Sequence, residues 1–283
     1  MTLPNFLYLG PDKAGSSWLH EALITHPQVY LSPAKDLYFF DRYYERGLDW
    51  YAGQFRGATP QHAVVGEVCQ DYLADPRCPA RIHEALPDAR LMVSLRDPVS
   101  RAFSSYLYAR KHGLWPETFR EAVEQVPELV EHGRYGAQLR AYRELFPAER
   151  IHVAVFDDLG ADPQGYFDAV TDFLQVDRLT LSAELLAERL VASRARAVPV
   201  ARAVRAFADV ARRLDGARVV ARVKRSSMVH RVLYTPLGED RPVMTPEDRE
   251  YLRGLYVDDV RLLEEDWGLD LRSRWGWDSV AAG

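Results

Sequence analysis

Asn5–Phe6–Leu7–Tyr8–Leu9–Gly10–Pro11–Asp12–Lys13–Ala14–Gly15–Ser16–Ser17–Trp18–Leu19–His20–Glu21–Ala22–Leu23 is the stretch whose reading decides the fold. An apolar run of strand length meets a loop with two glycines and a lysine, and two serines then open a helical pattern. A strand–loop–helix unit of this kind turns backbone N–H groups and the positive end of a helix dipole toward one spot, which suits a phosphate or sulfate. A nucleoside-triphosphate loop reads Gly, four residues, Gly, Lys and Ser/Thr. Gly10 and Gly15 keep that spacing, but Ser16 stands in the lysine's place and Lys13 lies inside the loop. With no ligand at all, the same glycines would serve a tight turn that needs positive φ.

Outward from this unit, short apolar runs alternate with helical patterns. Strands are expected at Val29–Leu31, at Ala63–Val68 with Glu67 near its end, at Arg90–Leu95 and at Ile151–Phe156. Asp97 and Pro98 mark a helix start, with Asp as N-cap and Pro in the first turn, and the pattern runs on to about His112 before Gly113. Further helices are expected at Pro79–Leu86, Glu117–Glu124, Tyr135–Phe146 and Pro163–Leu174, with a helical turn at Leu48–Tyr51. The alternation predicts an α/β fold with a mainly parallel central sheet flanked by helices. Beyond Val176 no strand is expected. Val200, Val204, Phe207, Val210 and Leu214 recur at helical spacing, and Thr245–Pro246 opens a long helix to Trp267. Residues 1–283 are read as a single domain with a helical C-terminal third, in which 200–244 form a basic helical insertion.

An apolar fraction of 47% with 27% charged residues is ordinary for a soluble globular chain. No run approaches the roughly 18 apolar residues of a membrane span. Met1–Thr2–Leu3–Pro4 carries no basic leader, so a cytoplasmic protein is expected. Cys69 and Cys78 are too few for a disulfide scaffold and have no companion cluster for a metal. The net charge of −5 conceals an uneven distribution: Arg189–Arg231 holds twelve Lys/Arg against Asp209 and Asp215. This is either a solvated helical face or the basic rim of an anion site. No nucleic-acid-binding motif accompanies it.

The loop Gly10–Leu19 resembles the 5′-phosphosulfate loop of sulfotransferases that use 3′-phosphoadenylyl sulfate, where a lysine precedes Thr-Gly-Thr-Thr. Here Ala14–Gly15–Ser16–Ser17 stand at those four places. Arg96–Asp97–Pro98–Val99–Ser100–Arg101–Ala102–Phe103–Ser104–Ser105–Tyr106 is similar to the family's 3′-phosphate motif, Arg-Asp-Pro-x-x-Arg-x-x-Ser-x-Tyr, at every fixed position. Glu67–Val68–Cys69–Gln70–Asp71–Tyr72 resembles the Glu-Lys-Ser/Thr-Pro-x-Tyr segment of the heparan-sulfate-type branch, with Val68 where the lysine stands. Lys35–Phe40 is similar to Lys-Glu-x-His-Phe-Phe, its aromatics read as core. Ser193–Pro199 parallels the late cofactor loop Ser-Lys-Gly-Arg-x-x-Pro, placing Arg194 and Arg196.

The resemblance implies a P-loop-like sulfotransferase fold and transfer of a sulfuryl group from 3′-phosphoadenylyl sulfate (PAPS) to a hydroxyl, or less readily an amine, of a small-molecule or carbohydrate acceptor. The product nucleotide is 3′-phosphoadenosine 5′-phosphate (PAP). Lys13, Ala14, Gly15, Ser16, Ser17 and Trp18 are the implied 5′ contacts, Arg96 and Ser104 the 3′-phosphate contacts, and Arg194 and Arg196 the closing loop. Glu67 is implied as the base that takes the acceptor proton, and Lys13 as the group that neutralises charge on the leaving phosphate oxygen. The insertion 200–244 would lie on the acceptor side or form a lid. No metal is called for. The other readings are an ATP-dependent phosphotransferase using Gly10–Ser17, and an anion-binding module without turnover.

Overall fold

The computed structural model describes residues 2–111, 114–187 and 242–277, together with the backbone of 193–195 and 234–236. In chain order the elements are β1 (Phe6–Gly10), α1 (Ser16–Leu23), β2 (Val29–Leu31), α2 (Phe39–Arg42), α3 (Gly47–Gly53), β3 (Val64–Val68), α4 (Cys78–Ala85), β4 (Arg90–Leu95) and α5 (Pro98–Lys111). There follow α6 (Phe119–Gln125), α7 (Pro127–Glu131), α8 (Tyr135–Arg143), β5 (Ile151–Val155), α9 (Phe156–Ala161), α10 (Pro163–Leu174) and α11 (Ala183–Ala187). The last are β6 (Ser193–Ala195), β7 (Tyr234–Pro236), α12 (Pro246–Trp267) and α13 (Leu271–Arg274).

β1 to β5 form one sheet in the order β2–β3–β1–β4–β5, every neighbour parallel. β1 is central and buried along its whole length, as a strand covered on both faces must be. Its side chains divide by the period of two. Phe6 and Tyr8 join Trp18, Leu19, Phe167 and Val170 from α1 and α10, while Leu7 and Leu9 join Phe39, Phe40, Leu139 and Tyr256 from α2, α8 and α12. The Asp259 carboxylate of α12 accepts the Gly136 and Ala137 N–H groups at 2.8 and 3.0 Å. It thus caps the first turn of α8 with a negative charge where the helix dipole favours one.

Because β3 and β4 lie on opposite sides of β1, the chain reverses its direction of travel across the sheet there. Open α/β sheets place ligands at such a point, outside the carboxyl ends of the strands. Two sequence expectations are corrected. Strands do not end at Val176, since β6 and β7 pair antiparallel through Ser193↔Pro236, Arg194↔Thr235 and Ala195↔Tyr234. Three residues per strand are too few to show a period, and the partner lies far along the chain. β5 also stops at Val155, and Phe156 begins a helix. The expected helix at Val200–Leu214 lies outside the described residues, as does most of Arg189–Arg231.

Candidate active site at the β1 and β4 loops

The loop after β1 is shaped by backbone conformations that side chains resist. Gly10 has φ +127°, and a Cβ there would sit 2.5 Å from the Gln70 carbonyl oxygen. Gly15, the N-cap of α1, has φ +87° and no room beside Leu159 and Phe156. Lys13 itself is left-handed, at φ +62°. α1 begins without a side-chain cap, so its first-turn N–H groups are offered to a ligand. The turn is closed to side chains at both glycines, and the uncapped start of α1 leaves backbone N–H groups of the kind that bind anions. Ser17 is exposed, whereas Ala14 and Ser16 are buried.

β4 delivers the second half of the site. Asp97 caps α5 as expected, its carboxylate accepting the N–H groups of Val99 and Ser100 at 3.2 and 3.3 Å. Arg96, one residue beyond β4, donates from Nη1 to the Lys13 carbonyl oxygen at 2.7 Å. Burial draws its pKa down, but a guanidinium retains its charge in proteins. Ser104 is half-buried, two turns into α5. The Lys13 ammonium lies 3.5 Å from the ring centre of Tyr108 on the same helix.

Asp12 ties loop and helix together. Its carboxylate accepts Arg101 Nη1 at 3.0 Å and the Ser105 hydroxyl. Arg101 is 1% exposed, and its Nη2 donates to the Leu129 carbonyl. Burial acts to raise the Asp12 pKa, but Arg101, Lys13 and the Ser105 hydroxyl outweigh it and hold the carboxyl below its ordinary value.

Glu67 lies on β3 opposite Leu7, below the rim of the sheet and wholly buried. Its carboxylate accepts the Leu37 N–H at 3.0 Å, the Tyr51 hydroxyl at 2.7 Å and the Tyr72 hydroxyl at 3.0 and 3.1 Å. Among the described residues no lysine or arginine forms an ion pair with it. Burial pushes its pKa up to about 8, against the opposing pull of these three donors. The segment over it is unusual, because Asp36 and Tyr38 on either side of Leu37 have φ +61° and +56°. Asp71, four residues on, pairs with Arg42. Burial nevertheless raises it to about 7, with Asp36, Asp12 and Asp41 adding to the rise.

Residues 74–180 match the model described as the sulfotransferase family. The match contains Arg96 and Ser104 and begins after Glu67. Heparan sulfate glucosamine 3-O-sulfotransferase 6 of Mus musculus is 32% identical over 190 residues, covering 62% of this chain and 53% of that protein. A sulfotransferase crystal structure from Alicyclobacillus acidocaldarius has a TM-score of 0.58 at 26% identity, covering 82% of this chain and 100% of its own. Over these stretches the chain is similar to the sulfotransferase family. Mouse sulfotransferase SULT7A1, crystallised with PAP, shares the fold at TM-score 0.53 and 14% identity over 90% of this chain and 84% of that one. The chain spans about half the length, or less, of the curated relatives it matches.

Arg96 meets the loop directly at the Lys13 carbonyl, and α5, which carries Ser104, also sets Tyr108 beneath the Lys13 ammonium. β6 lies beside α5, which brings the backbone of Arg194 to the helix that bears Ser104; Arg196 lies outside the described residues. The Trp18 side chain does not face the loop. It is 2% exposed, packs edge-on against Tyr166 and Phe167, and donates its indole N–H to the Leu185 carbonyl. Its contribution to an anion site is confined to the backbone. Lys35 pairs with Asp36 at 2.9 Å, and Phe39 and Phe40 are fully buried as expected of core. No group of residues that could hold a metal occurs among the described residues, and none of the described helices is long and apolar enough to cross a membrane. Asp12, Tyr51 and the role of Arg101 escape a reading of the sequence, although Arg101 occupies a fixed position of the second motif.

Proposed function

We propose that this chain is a sulfotransferase that moves a sulfuryl group from PAPS to a hydroxyl of a small-molecule or carbohydrate acceptor and releases PAP. The observation that carries the reading is the Arg96–Lys13 contact, which joins a 5′ anion cradle to a second cation at the ends of adjacent parallel strands. Such a pair fits a nucleotide with phosphate at both its 5′ and 3′ positions. The carbohydrate class is supported by the relative named for heparan sulfate glucosamine.

PAPS supplies the sulfuryl group and its phosphate leaving group. Backbone N–H groups of 14–18 hold the 5′ end, and Arg96 and Ser104 hold the 3′-phosphate, so that binding far from the reacting atoms orients them. The closing loop is assigned to Arg194 and Arg196 by the resemblance alone. The acceptor oxygen bonds to sulfur as the bond from sulfur to the 5′-phosphate oxygen breaks. Lys13 neutralises the charge arriving on that oxygen, and Glu67 takes the acceptor proton. Since Leu37–Phe39 enclose Glu67, that segment must move for the acceptor to reach it. The left-handed backbone of Asp36 and Tyr38, which costs roughly 1–3 kcal/mol each, favours such a movement.

Thermal shift measurements test the cofactor. PAP is expected to raise the melting temperature well above the shift given by adenosine 5′-phosphate or Mg-ATP at equal concentration, because a ligand held by both phosphates binds the native state more tightly. A larger shift with Mg-ATP supports the phosphotransferase reading instead.

A further inference from the structure

Arg101 and Asp12 form a buried ion pair that the transfer chemistry does not itself need. Such pairs contribute little net stability, since desolvating two charges offsets most of their attraction. The placement of this one is specific. Asp12 immediately precedes Lys13, whose backbone is left-handed. On one side of that peptide the Asp12 carboxylate is held by Arg101 and Ser105, and on the other the Lys13 carbonyl is held by Arg96. All three anchoring side chains come from the end of β4 or from α5, which also bears Ser104 and the Tyr108 ring beneath the Lys13 ammonium.

We propose that Asp12 and Arg101 are positioning residues, a buried pin that fixes the Lys13 backbone against α5 and so sets the ammonium in register with the nucleotide held by Arg96 and Ser104. The proposal rests on the PAPS reading above. The loop alone leaves Lys13 on a backbone that favours other conformations for a residue with a Cβ. The pin holds it in the left-handed one instead. It also couples the 5′ and 3′ subsites, because the helix that binds one phosphate holds the lysine serving the other. Misplacing a reacting group by about 1 Å can cost on the order of a hundredfold in rate. The pin therefore acts on kcat, while the backbone N–H groups and Arg96 retain the nucleotide.

The test removes both buried charges together, so that neither is left unpaired. In Asp12→Ala/Arg101→Met, kcat is expected to fall about ten- to a hundredfold, with PAP affinity within about threefold of the unaltered protein. Adding Lys13→Ala should then produce no loss beyond that of Lys13→Ala alone, since residues acting through one group are non-additive. Losses that multiply, or an unchanged kcat in the double variant, overturn the pin. If the double variant does not fold, Asp12→Asn carries the same cycle with a smaller loss, because it keeps an acceptor for Arg101. Failure of the unaltered protein to bind PAP better than adenosine 5′-phosphate overturns the cofactor reading, and the pin with it.

Discussion

Arg101 and Glu67 are both ionisable side chains taken entirely out of water, at 1% and 0% exposure, and they resolve the same penalty in opposite ways. Arg101 is met by a full counter-charge, and its pKa is raised despite burial. Glu67 is met by two phenol hydroxyls and one backbone N–H, and burial carries its pKa to about 8. A countercharge fixes a charge; neutral donors leave a group that titrates near neutrality. The first arrangement suits a scaffold and the second suits a base, whose efficiency is greatest when its pKa lies near the working pH. Val68, where the resembled motif has a lysine, is buried in the apolar cluster on the face opposite Glu67.

The largest effect expected from this contrast is at Glu67. Glu67→Gln removes the proton acceptor and should lower kcat about 10²–10⁴-fold, with PAP binding unchanged by isothermal titration. An intact kcat breaks the comparison outright, because the buried carboxylate would then be scaffold like Arg101. Next is Arg96→Ala, which should weaken PAP about ten- to a hundredfold, the scale of charge-assisted hydrogen bonds to a phosphate. Adenosine 5′-phosphate binding should barely change. Equal losses for the two nucleotides would remove Arg96 from the 3′-phosphate.

What the sequence discloses of this site follows from the range of the interactions. The β1 loop, the strand at Arg90–Leu95 and the Asp97 cap are legible because their determinants are neighbours in the chain: glycine, proline, a short polar cap and an apolar run. The pin is not, since Asp12 and Arg101 are 89 residues apart and nothing local announces that one meets the other. The setting of Glu67 is hidden for the same reason, its donors coming from Leu37 and Tyr51, 30 and 16 residues away. A carboxylate near the end of an apolar strand reads as a functional tip, and only the packing of Phe39 on Tyr51, stacked at 4.3 Å, shows that it is roofed over. Trp18 illustrates the converse. Its place in the motif suggests the cofactor, but a large ring on the inner face of α1 is worth more buried against Tyr166 and Phe167.

The smallest effect concerns the tuning of Glu67 and sharpens the contrast most. Tyr51 donates to the carboxylate and therefore favours its charged form, while Tyr72 spans both oxygens. Tyr51→Phe removes one donor and little volume, so the Glu67 pKa should rise further. A base must be deprotonated to act, and the acid limb of the kcat profile should move upward by about one pH unit, the equivalent of one hydrogen bond to a charged group. Stability obeys the same linkage. With a folded-state pKa of about 8 against 4.5 for the free group, the folded protein binds the proton more tightly. The Glu67 contribution is therefore complete below 4.5 and is lost as pH rises through about 8. Melting temperatures should decline over that window, the decline should extend to higher pH in Tyr51→Phe, and it should flatten in Glu67→Gln. An acid limb that stays in place in Tyr51→Phe would mean that the hydroxyl merely packs, and that burial alone sets the base.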